Sequence, residues 1–282
     1  MMHDFNLQNI PYFGIAGNFT GHLEQAGEAV DFAKVVTKEA NAPKAIFPTF
    51  IPGESNLVPA FLHTYPFDAE KIIYPQGEDK LQIEPECALI CETQWDGNTL
   101  SKITPLAFGA SNDCSIRKEG AKKISLKKNW GKTSKGLSNN LIKIDDFSEK
   151  GILGHYRIAS FLVRDGKAFE YGENSPVSGY SYIYKKLLDW CIEKFNTQKD
   201  EDPAEDIHLY LKECGKPSHL MISIGATRYT DFGEHNFLKN EDVSVVVLYP
   251  DNYSPDEIIK MVKSDNFADE KISVLRQKII SN

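Results

Sequence analysis

Two glutamates separated by one residue, Glu84 and Glu86, lead into an apolar run of the chain. Side chains two positions apart in a β-strand point to the same face, so these carboxylates would lie together, about 7 Å apart. Burying them is costly unless a cation lies between them. The pair therefore indicates either a cation site or, as is more common for this pattern, a solvated strand end.

A third carboxylate, Asp113, ends the small and apolar stretch 105–113, where a second strand gives way to a loop. Three oxygen ligands from two strand ends suit Mg²⁺ or Mn²⁺, with water or substrate oxygens filling the other positions. The alternative is a turn formed by Asn112 and Asp113. No histidine or cysteine pair has the spacing of a zinc site. Glu84, Glu86 and Asp113 are therefore candidate ligands of Mg²⁺ or Mn²⁺, with a solvated strand end and a turn as the alternatives.

Strand-like segments surround these carboxylates and must position them. Each segment is short, apolar at least in part, and bounded by turn residues. The segments cover 83–92, 103–111, 141–145, 155–166, 167–172, 219–227 and 242–249. The Asp165-Gly166 pair between two of them predicts a β-hairpin. Many strands without β-α alternation predict a β-rich α+β fold with a mixed or antiparallel sheet and few helices.

Three helices are predicted from apolar spacing and capping residues. The first follows a short strand at 11–17 and carries apolar residues at helical spacing between Leu23 and Ala33. The second and clearest covers 178–195, with Ser178 as its N-cap. The third begins after Ser254, where a proline and a glutamate complete a capping box.

Composition limits the classes of function. The chain has 282 residues and a net charge of −8, which argues against a nucleic-acid binder because such a protein needs a basic face. No apolar run approaches the roughly 20 residues that span a bilayer, and no signal peptide is recognisable. We expect a cytoplasmic protein without membrane contact, and five reduced cysteines. We expect residues 1–80 to form an N-terminal extension and lid region packed on a β-rich body, 81–282, as one structural unit.

One basic segment runs against the negative net charge. Residues 117–135 contain eight basic residues and one acidic residue, Glu119. A solvated, mobile loop is the commoner meaning of such a run. The alternative is that its lysines attract a small anionic substrate to the carboxylates.

Five motifs occur in the order and with the spacing of the fumarylacetoacetate hydrolase superfamily, which the chain resembles over roughly residues 13–249. The motifs are Gly17-Asn18-Phe19-Thr20-Gly21-His22, Glu84-Pro85-Glu86, Asn112-Asp113-Cys114-Ser115-Ile116-Arg117, Trp130-Gly131-Lys132 and Ile224-Gly225-Ala226-Thr227. The resemblance implies the β-roll of that superfamily's C-terminal domain. It also implies that Glu84, Glu86 and Asp113 hold Mg²⁺ or Mn²⁺, which chelates a 2-oxo acid or β-diketone. A homodimer is the common assembly in the superfamily and is expected here.

The same resemblance assigns roles to cationic and polar residues. It implies that Lys132 contacts the bound substrate or stabilises an enolate, a role that suits a cation beside a dication site. It implies that Arg117 holds a substrate carboxylate with its bidentate guanidinium, and that Thr227 lies at the substrate. For Lys132 and Arg117 the alternative is plain membership of the basic segment.

His22 corresponds to a histidine on the N-terminal lid that helps to activate water in the hydrolytic members. There, a glutamate three residues later forms a dyad with the histidine, whereas this chain has Gln25. Glutamine cannot accept a proton from His22. Glu24 is the expected substitute if the lid helix is rotated, and Glu28 lies one turn further on. The loop after Lys132 also differs from the superfamily pattern.

The sequence predicts a metal-dependent enzyme acting on a small 2-oxo acid or acylpyruvate-like substrate through a metal-stabilised enolate. Hydrolysis of a C–C bond requires His22 with an acidic partner. The glutamine at position 25 therefore shifts the expected reaction partly from hydrolysis towards decarboxylation or isomerisation. The alternative function is a non-catalytic protein that retains the fold and binds metal or a small ligand.

Overall fold

The computed structural model describes residues 5–33, 35–118 and 120–281. It contains fourteen strands in these ranges, which are β1 Tyr12–Ala16, β2 Ala45–Phe50, β3 Lys71–Ile73, β4 Leu81–Gln82, β5 Pro85–Asp96, β6 Thr99–Asn112, β7 Ser115–Ile116, β8 Gly136–Leu137, β9 Ile142–Lys143, β10 Tyr156–Arg164, β11 Lys167–Pro176, β12 His219–Ser223, β13 Val243–Pro250 and β14 Ser273–Ile280. The described α-helices are α1 His22–Gln25, α2 Tyr184–Thr197, α3 Ile207–Glu213, α4 Asp231–His235 and α5 Pro255–Ser264.

Two large mixed sheets form the body of the protein. The first has the order β2-β1-β12-β5-β6-β8, with β9 also paired to β6. The second has the order β11-β10-β13-β14-β3, and β4 and β7 form a separate small ladder. Most pairs are antiparallel, but β1 runs parallel to β12 and β3 runs parallel to β14. The predicted β-rich α+β class with mixed sheets and few helices is confirmed.

Two hairpins explain how local sequence builds these sheets. The β10–β11 hairpin turns at Asp165 and Gly166, which both have positive φ, 51° and 71°. That backbone matches the twist of the flanking strands, and the predicted hairpin is confirmed. The longer β5–β6 hairpin turns at Gly97, also with positive φ. At the end of this hairpin opposite the turn, Glu84 directly precedes β5 and Asp113 directly follows β6.

The second predicted helix begins later than expected, at Tyr184 instead of residue 178. Asn18 explains the difference, because its side chain bonds both the N–H and the carbonyl oxygen of Tyr182. The Tyr180 hydroxyl also donates to the Gly225 carbonyl at 2.7 Å. These tertiary bonds hold the segment before the helix in an extended conformation, so the prediction of Ser178 as N-cap is wrong.

The N-terminal helix is also shorter than predicted, since α1 covers only residues 22–25. Gly27 has a positive φ of 69°, which ends the helix. Val30, predicted on its apolar face, is 83% exposed. At the other end of the chain, Ser254 and Glu257 form the predicted capping box of α5.

Apolar packing joins the sheets and helices. Phe108 of β6 contacts Tyr156 of β10 edge to face, with ring centroids 4.8 Å apart. Phe13 of β1 contacts Phe195 of α2 in the same way at 5.0 Å. β1 and β2 lie in the same sheet as β5 and β6. The expected division into an N-terminal extension, 1–80, and a body, 81–282, stays a prediction.

Two further expectations concerned reduced cysteines and the absence of membrane-spanning helices. All five cysteines are free, and four are buried, as expected for reduced thiols. No described helix has the length and apolarity needed to cross a membrane.

Candidate active site

The β5–β6 hairpin brings three carboxylates together. Glu84 directly precedes β5, Glu86 is the second residue of β5, and Asp113 directly follows β6. The register pairs Glu86 with Ser111, and the Asp113 N–H donates to the Glu84 carbonyl oxygen at 3.0 Å. One oxygen of each carboxylate lies within 4.8 Å of the other two. The three residues are 2%, 1% and 0% exposed, so the solvated strand end is excluded.

Three buried cations from the basic segment surround the carboxylates. The ammonium of Lys128 lies 2.5 Å from Glu84 Oε2 and 2.8 Å from Asp113 Oδ2. The ammonium of Lys135 lies 3.2 Å from Asp113 Oδ1. The guanidinium of Arg117 lies 2.7 Å from Glu84 Oε1. This part of the segment is therefore not a solvated loop, because its cations neutralise buried carboxylates.

Several carboxylate oxygens keep unused acceptor capacity. Glu84 Oε1 and both side-chain oxygens of Asp113 accept no hydrogen bond from the residues that the structure describes. Each of these oxygens lies 2.7–3.2 Å from a cationic nitrogen, so its charge is paired. A carboxylate oxygen has two lone pairs, however, which leaves room for a further ligand. A set of three carboxylate oxygens is what Mg²⁺ and Mn²⁺ prefer, so the residues present fit a divalent cation.

The two glutamates have pKa values displaced in opposite directions. Burial alone would raise the pKa of Glu84, but its ion pairs, that with Lys128 above all, hold it well below its usual value. Burial raises the pKa of Glu86 well above its usual value, and the carboxylate of Asp113 adds to the effect. The side chain of Glu86 accepts a hydrogen bond from the Gly225 N–H at 3.1 Å, a dipole and not a full charge. Glu86 is thus the carboxylate of the three that most needs a further cation.

Arg117 also joins a second group of ion pairs. Its guanidinium lies 2.9 Å from Glu28 Oε1, and the ammonium of Lys127 lies 2.9 Å from the same oxygen. Arg117 further donates to Gln82 at 2.6 Å and to the Tyr229 hydroxyl at 2.7 Å. All three guanidinium nitrogens therefore have protein partners. The structure places Arg117 at the site as a link between carboxylates, and not as the free guanidinium expected for a substrate carboxylate.

His22, the first residue of α1, lies in the buried interior and lines one small cavity together with Glu28 and Glu84. Burial lowers the pKa of His22, so its imidazole is neutral near neutral pH. Its Nδ1 has no hydrogen-bond partner among the described residues. Glu24 is exposed, which corrects the expectation that it faces His22. Gln25 is bonded to the backbone of Tyr229, and Glu28 is the lid carboxylate that reaches the interior.

Lys132 is not brought to the carboxylates. It is exposed, and no ion pair joins it to a described residue. Gly131 and Thr133 on either side both have positive φ, 127° and 64°, so the chain turns sharply with Lys132 at the tip. Lys135, three residues later, is fully buried and contacts Asp113 instead. The lysine of this stretch that contacts a site carboxylate is therefore Lys135 and not the predicted Lys132.

Thr227 is buried beside the start of β5. Its N–H donates to the Pro85 carbonyl oxygen at 3.3 Å. Its neighbour Ala226 lines the small cavity with Glu86. A role for Thr227 at the substrate stays a prediction.

Two cavities of very different size lie on this side of the protein. The inner cavity, about 10 Å³ in volume, is bordered by His22, Glu84, Glu86 and Lys128. That volume holds one water molecule at most. The outer cavity, about 860 Å³, is bordered by Arg117 and by charged residues of both signs. Glu28 borders both cavities, so its ion pairs form the wall between them.

Lys128, Lys135 and Glu28 are the site residues that sequence reasoning missed. The two lysines resemble the other basic residues of their segment, and Glu28 lies within the predicted N-terminal helix, which the structure ends at Gln25. Charge balance was the available signal. Three carboxylates predicted to be buried require cations, and the basic segment is the nearest sequence that supplies them.

The β-rich fold is shared with solved enzyme structures, in agreement with the fold that the motifs' resemblance implied. The chain belongs to a family of unknown function, DUF5718, whose model matches residues 28–279. No curated protein is similar enough to the chain to count as a relative.

Solved structures of enzymes share this fold at low sequence identity. A structure of Cg1458 with inhibitor has a TM-score of 0.58 and 13% identity, over 96% of this chain and 77% of that one. A 2-keto-3-deoxy-D-arabinonate dehydratase complexed with magnesium and 2,5-dioxopentanoate has 0.54 and 15%, over 96% and 73%. A 5-carboxymethyl-2-hydroxymuconate delta-isomerase from Mycobacterium smegmatis has 0.52 and 12%, over 96% and 79%. At these identities the likeness establishes the fold alone.

Proposed function

We propose that this protein is an enzyme that acts on a small 2-oxo acid or acylpyruvate-like substrate with the help of Mg²⁺ or Mn²⁺. Glu84, Glu86 and Asp113 would hold the cation. The observation that carries the proposal is this buried triad, with oxygens within 4.8 Å of one another and with unused acceptor capacity. A divalent cation in such a site supplies Lewis-acid polarisation of a substrate oxygen.

The side chains around the triad suit the remaining steps. His22 is neutral and buried, and its Nδ1 is without a hydrogen-bond partner among the described residues, so it can accept a proton from substrate or water. Glu28 borders the same small cavity as His22 and would take the part that the sequence assigned to Glu24. The ammonium of Lys135 can stabilise negative charge that develops on a substrate oxygen beside Asp113.

C–C bond hydrolysis, decarboxylation and isomerisation all pass through an enolate and are all compatible with these side chains. The inner cavity has room for one water molecule at most, so a substrate must enlarge it by displacing part of the wall at Glu28. Decarboxylation and isomerisation place the smaller demand on this site, because they require no activated water.

The experiment that tests the proposal is turnover of a panel of acylpyruvates and oxaloacetate with Mn²⁺ or Mg²⁺ added. We expect metal-dependent turnover of at least one compound by the natural chain and none by the Glu86→Ala variant. Absence of turnover in both, with Mn²⁺ plus oxalate still raising the Tm of the natural chain, would favour a non-catalytic binding protein. The closed inner cavity is the observation that keeps this second function in view.

A further inference from the structure

Lys128 occupies the centre of the carboxylate cluster. Its ammonium contacts two of the three triad residues, 2.5 Å from Glu84 Oε2 and 2.8 Å from Asp113 Oδ2. These are the residues that a divalent cation would need. We propose that Lys128 is an internal counter-cation of this site and that Mg²⁺ or Mn²⁺ binds only when its ammonium moves away. This inference rests on the proposed metal site.

The charges of the cluster explain why the two cations exclude each other. Lys128, Lys135 and Arg117 already pair with two of the three carboxylates, Glu84 and Asp113. A dication added among oxygens within 4.8 Å of one another would lie beside the Lys128 ammonium in a water-poor interior. Coulomb repulsion between like charges is strong there because little solvent screens it.

Lys128 is the cation of the three that is best able to leave. Arg117 is tied by hydrogen bonds to Gln82 and Tyr229, and Lys135 donates to the Cys114 carbonyl oxygen. Apart from its ion pairs with Glu84 and Asp113, the Lys128 ammonium makes no hydrogen bond to another residue that the structure describes, and it lies over the ring of Phe47, 5.0 Å from the centroid.

The backbone position of Lys128 also allows movement. The residue directly follows the 3-10 helix Ile124–Lys127, and its side chain borders the inner cavity. A four-carbon side chain at the end of such a short helix can change rotamer without disturbing a strand. Lys127, its neighbour, pairs with Glu28 and Asp31 and contacts none of the triad.

The test is calorimetric titration of MnCl₂ into the natural chain and into Lys128→Met and Lys128→Gln. Both variants remove the charge, and glutamine keeps a donor for Glu84 should methionine prevent folding. If the ammonium occupies the site most of the time, its removal should raise the apparent Mn²⁺ affinity at least about tenfold. Lys123→Met is the control for losing a paired ammonium away from both cavities, because Lys123 pairs with Asp200 and Asp202, and its Mn²⁺ affinity should stay within about threefold of that of the natural chain.

The outcomes separate this inference from the proposed function. Tighter Mn²⁺ binding by the Lys128 variants than by the natural chain supports the inference. If the natural chain binds no Mn²⁺ and the variants do, the inference is supported and the proposed metal dependence of the natural chain is refuted. Equal or weaker binding in variants that fold overturns the inference and leaves the metal site in place. No binding by any protein overturns both.

Discussion

The inner and outer cavities are neighbours with opposite properties. The inner cavity is about 10 Å³ and is bordered by the carboxylate cluster, whereas the outer cavity is about 860 Å³ and is bordered by charged residues of both signs. Two consecutive lysines border different cavities: Lys128 borders the inner cavity and Lys127 borders the outer one. Glu28 borders both. The comparison separates the residues suited to chemistry from the space suited to a substrate.

The wall between the cavities is made of ion pairs and not of apolar packing. Arg117 contacts Glu84 on the inner side and Glu28 within the wall. Movement of the segment that carries Glu28 would therefore change the charge balance of the inner cluster. The difference between the cavities suggests that access and cation binding are coupled through Arg117 and Glu28.

Arg117→Met should have the largest effect, because it removes the cation shared by the inner cluster and the wall. Breaking a buried pair on one side leaves uncompensated carboxylates, so the free energy of unfolding should fall by about 3–5 kcal/mol. Guanidinium denaturation measures the change. A loss below about 1 kcal/mol would show that the wall contributes no more than a surface ion pair does.

Glu205→Gln measures how burial without a close ion pair acts on a carboxylate, for comparison with Glu84, whose ion pairs lower its pKa. Glu205 is buried outside both cavities, and burial raises its pKa from 4.5 to about 7. Because the pKa of Glu205 is higher in the folded state, the protonated side chain contributes fully to the stability of the natural chain below pH 4.5. That contribution is lost as the pH rises to about 7. One pH unit of pKa change is worth about 1.4 kcal/mol, so the variant should gain about 3 kcal/mol over the natural chain between about pH 4 and pH 8.

Urea denaturation at the two pH values measures that difference. The expected order is near-equal stability in acid and a more stable variant at the higher pH. A constant difference across the pH range would mean that Glu205 does not titrate between 4.5 and about 7.

Lys135→Met and Lys132→Met compare a buried lysine of the cluster with an exposed lysine of the same segment. If Lys135 stabilises negative charge on the substrate, its loss should lower kcat by about 100-fold, while loss of Lys132 should leave kcat within about twofold. Steady-state kinetics on the substrate found by the panel distinguish the two. Activity that survives in the Lys135 variant and fails in the Lys132 variant would reverse the assignment.

Lys118→Ala should have the smallest effect. Lys118 borders the outer cavity and pairs with Glu78 at 3.0 Å, but its side chain is 58% exposed. Solvent screens such a pair, so the expected loss is below about 1 kcal/mol. A loss as large as that of Arg117→Met would remove the energetic distinction between the two cavities.

The β-rich fold class was predictable from short-range strand patterns, whereas the three carboxylates were expected as a metal site mainly because their motifs resemble those of the fumarylacetoacetate hydrolase superfamily. Strand alternation placed Glu84 and Glu86 on one face, and the Asp165-Gly166 pair specified a hairpin. The helix after residue 178 was predicted too early because Asn18, more than 160 positions away, holds Tyr182 extended. Long-range hydrogen bonds of this kind leave no periodic signal in the sequence.

The cations of the site could not be chosen from the sequence for a similar reason. Lys128, Lys132 and Lys135 lie in one polar segment with little periodicity, and their burial depends on where the chain turns. The positive φ values of Gly131 and Thr133 expose Lys132, and a non-glycine residue gives little warning of such a conformation.

A crystal structure with Mn²⁺ tests the central claim most directly. We predict one anomalous peak within coordination distance of Glu84, Glu86 and Asp113, with the Lys128 ammonium moved away from Glu84 and Asp113. A structure grown in excess Mn²⁺ without a peak there, and with Lys128 still between these two carboxylates, would contradict the claim that the triad is a divalent-metal site.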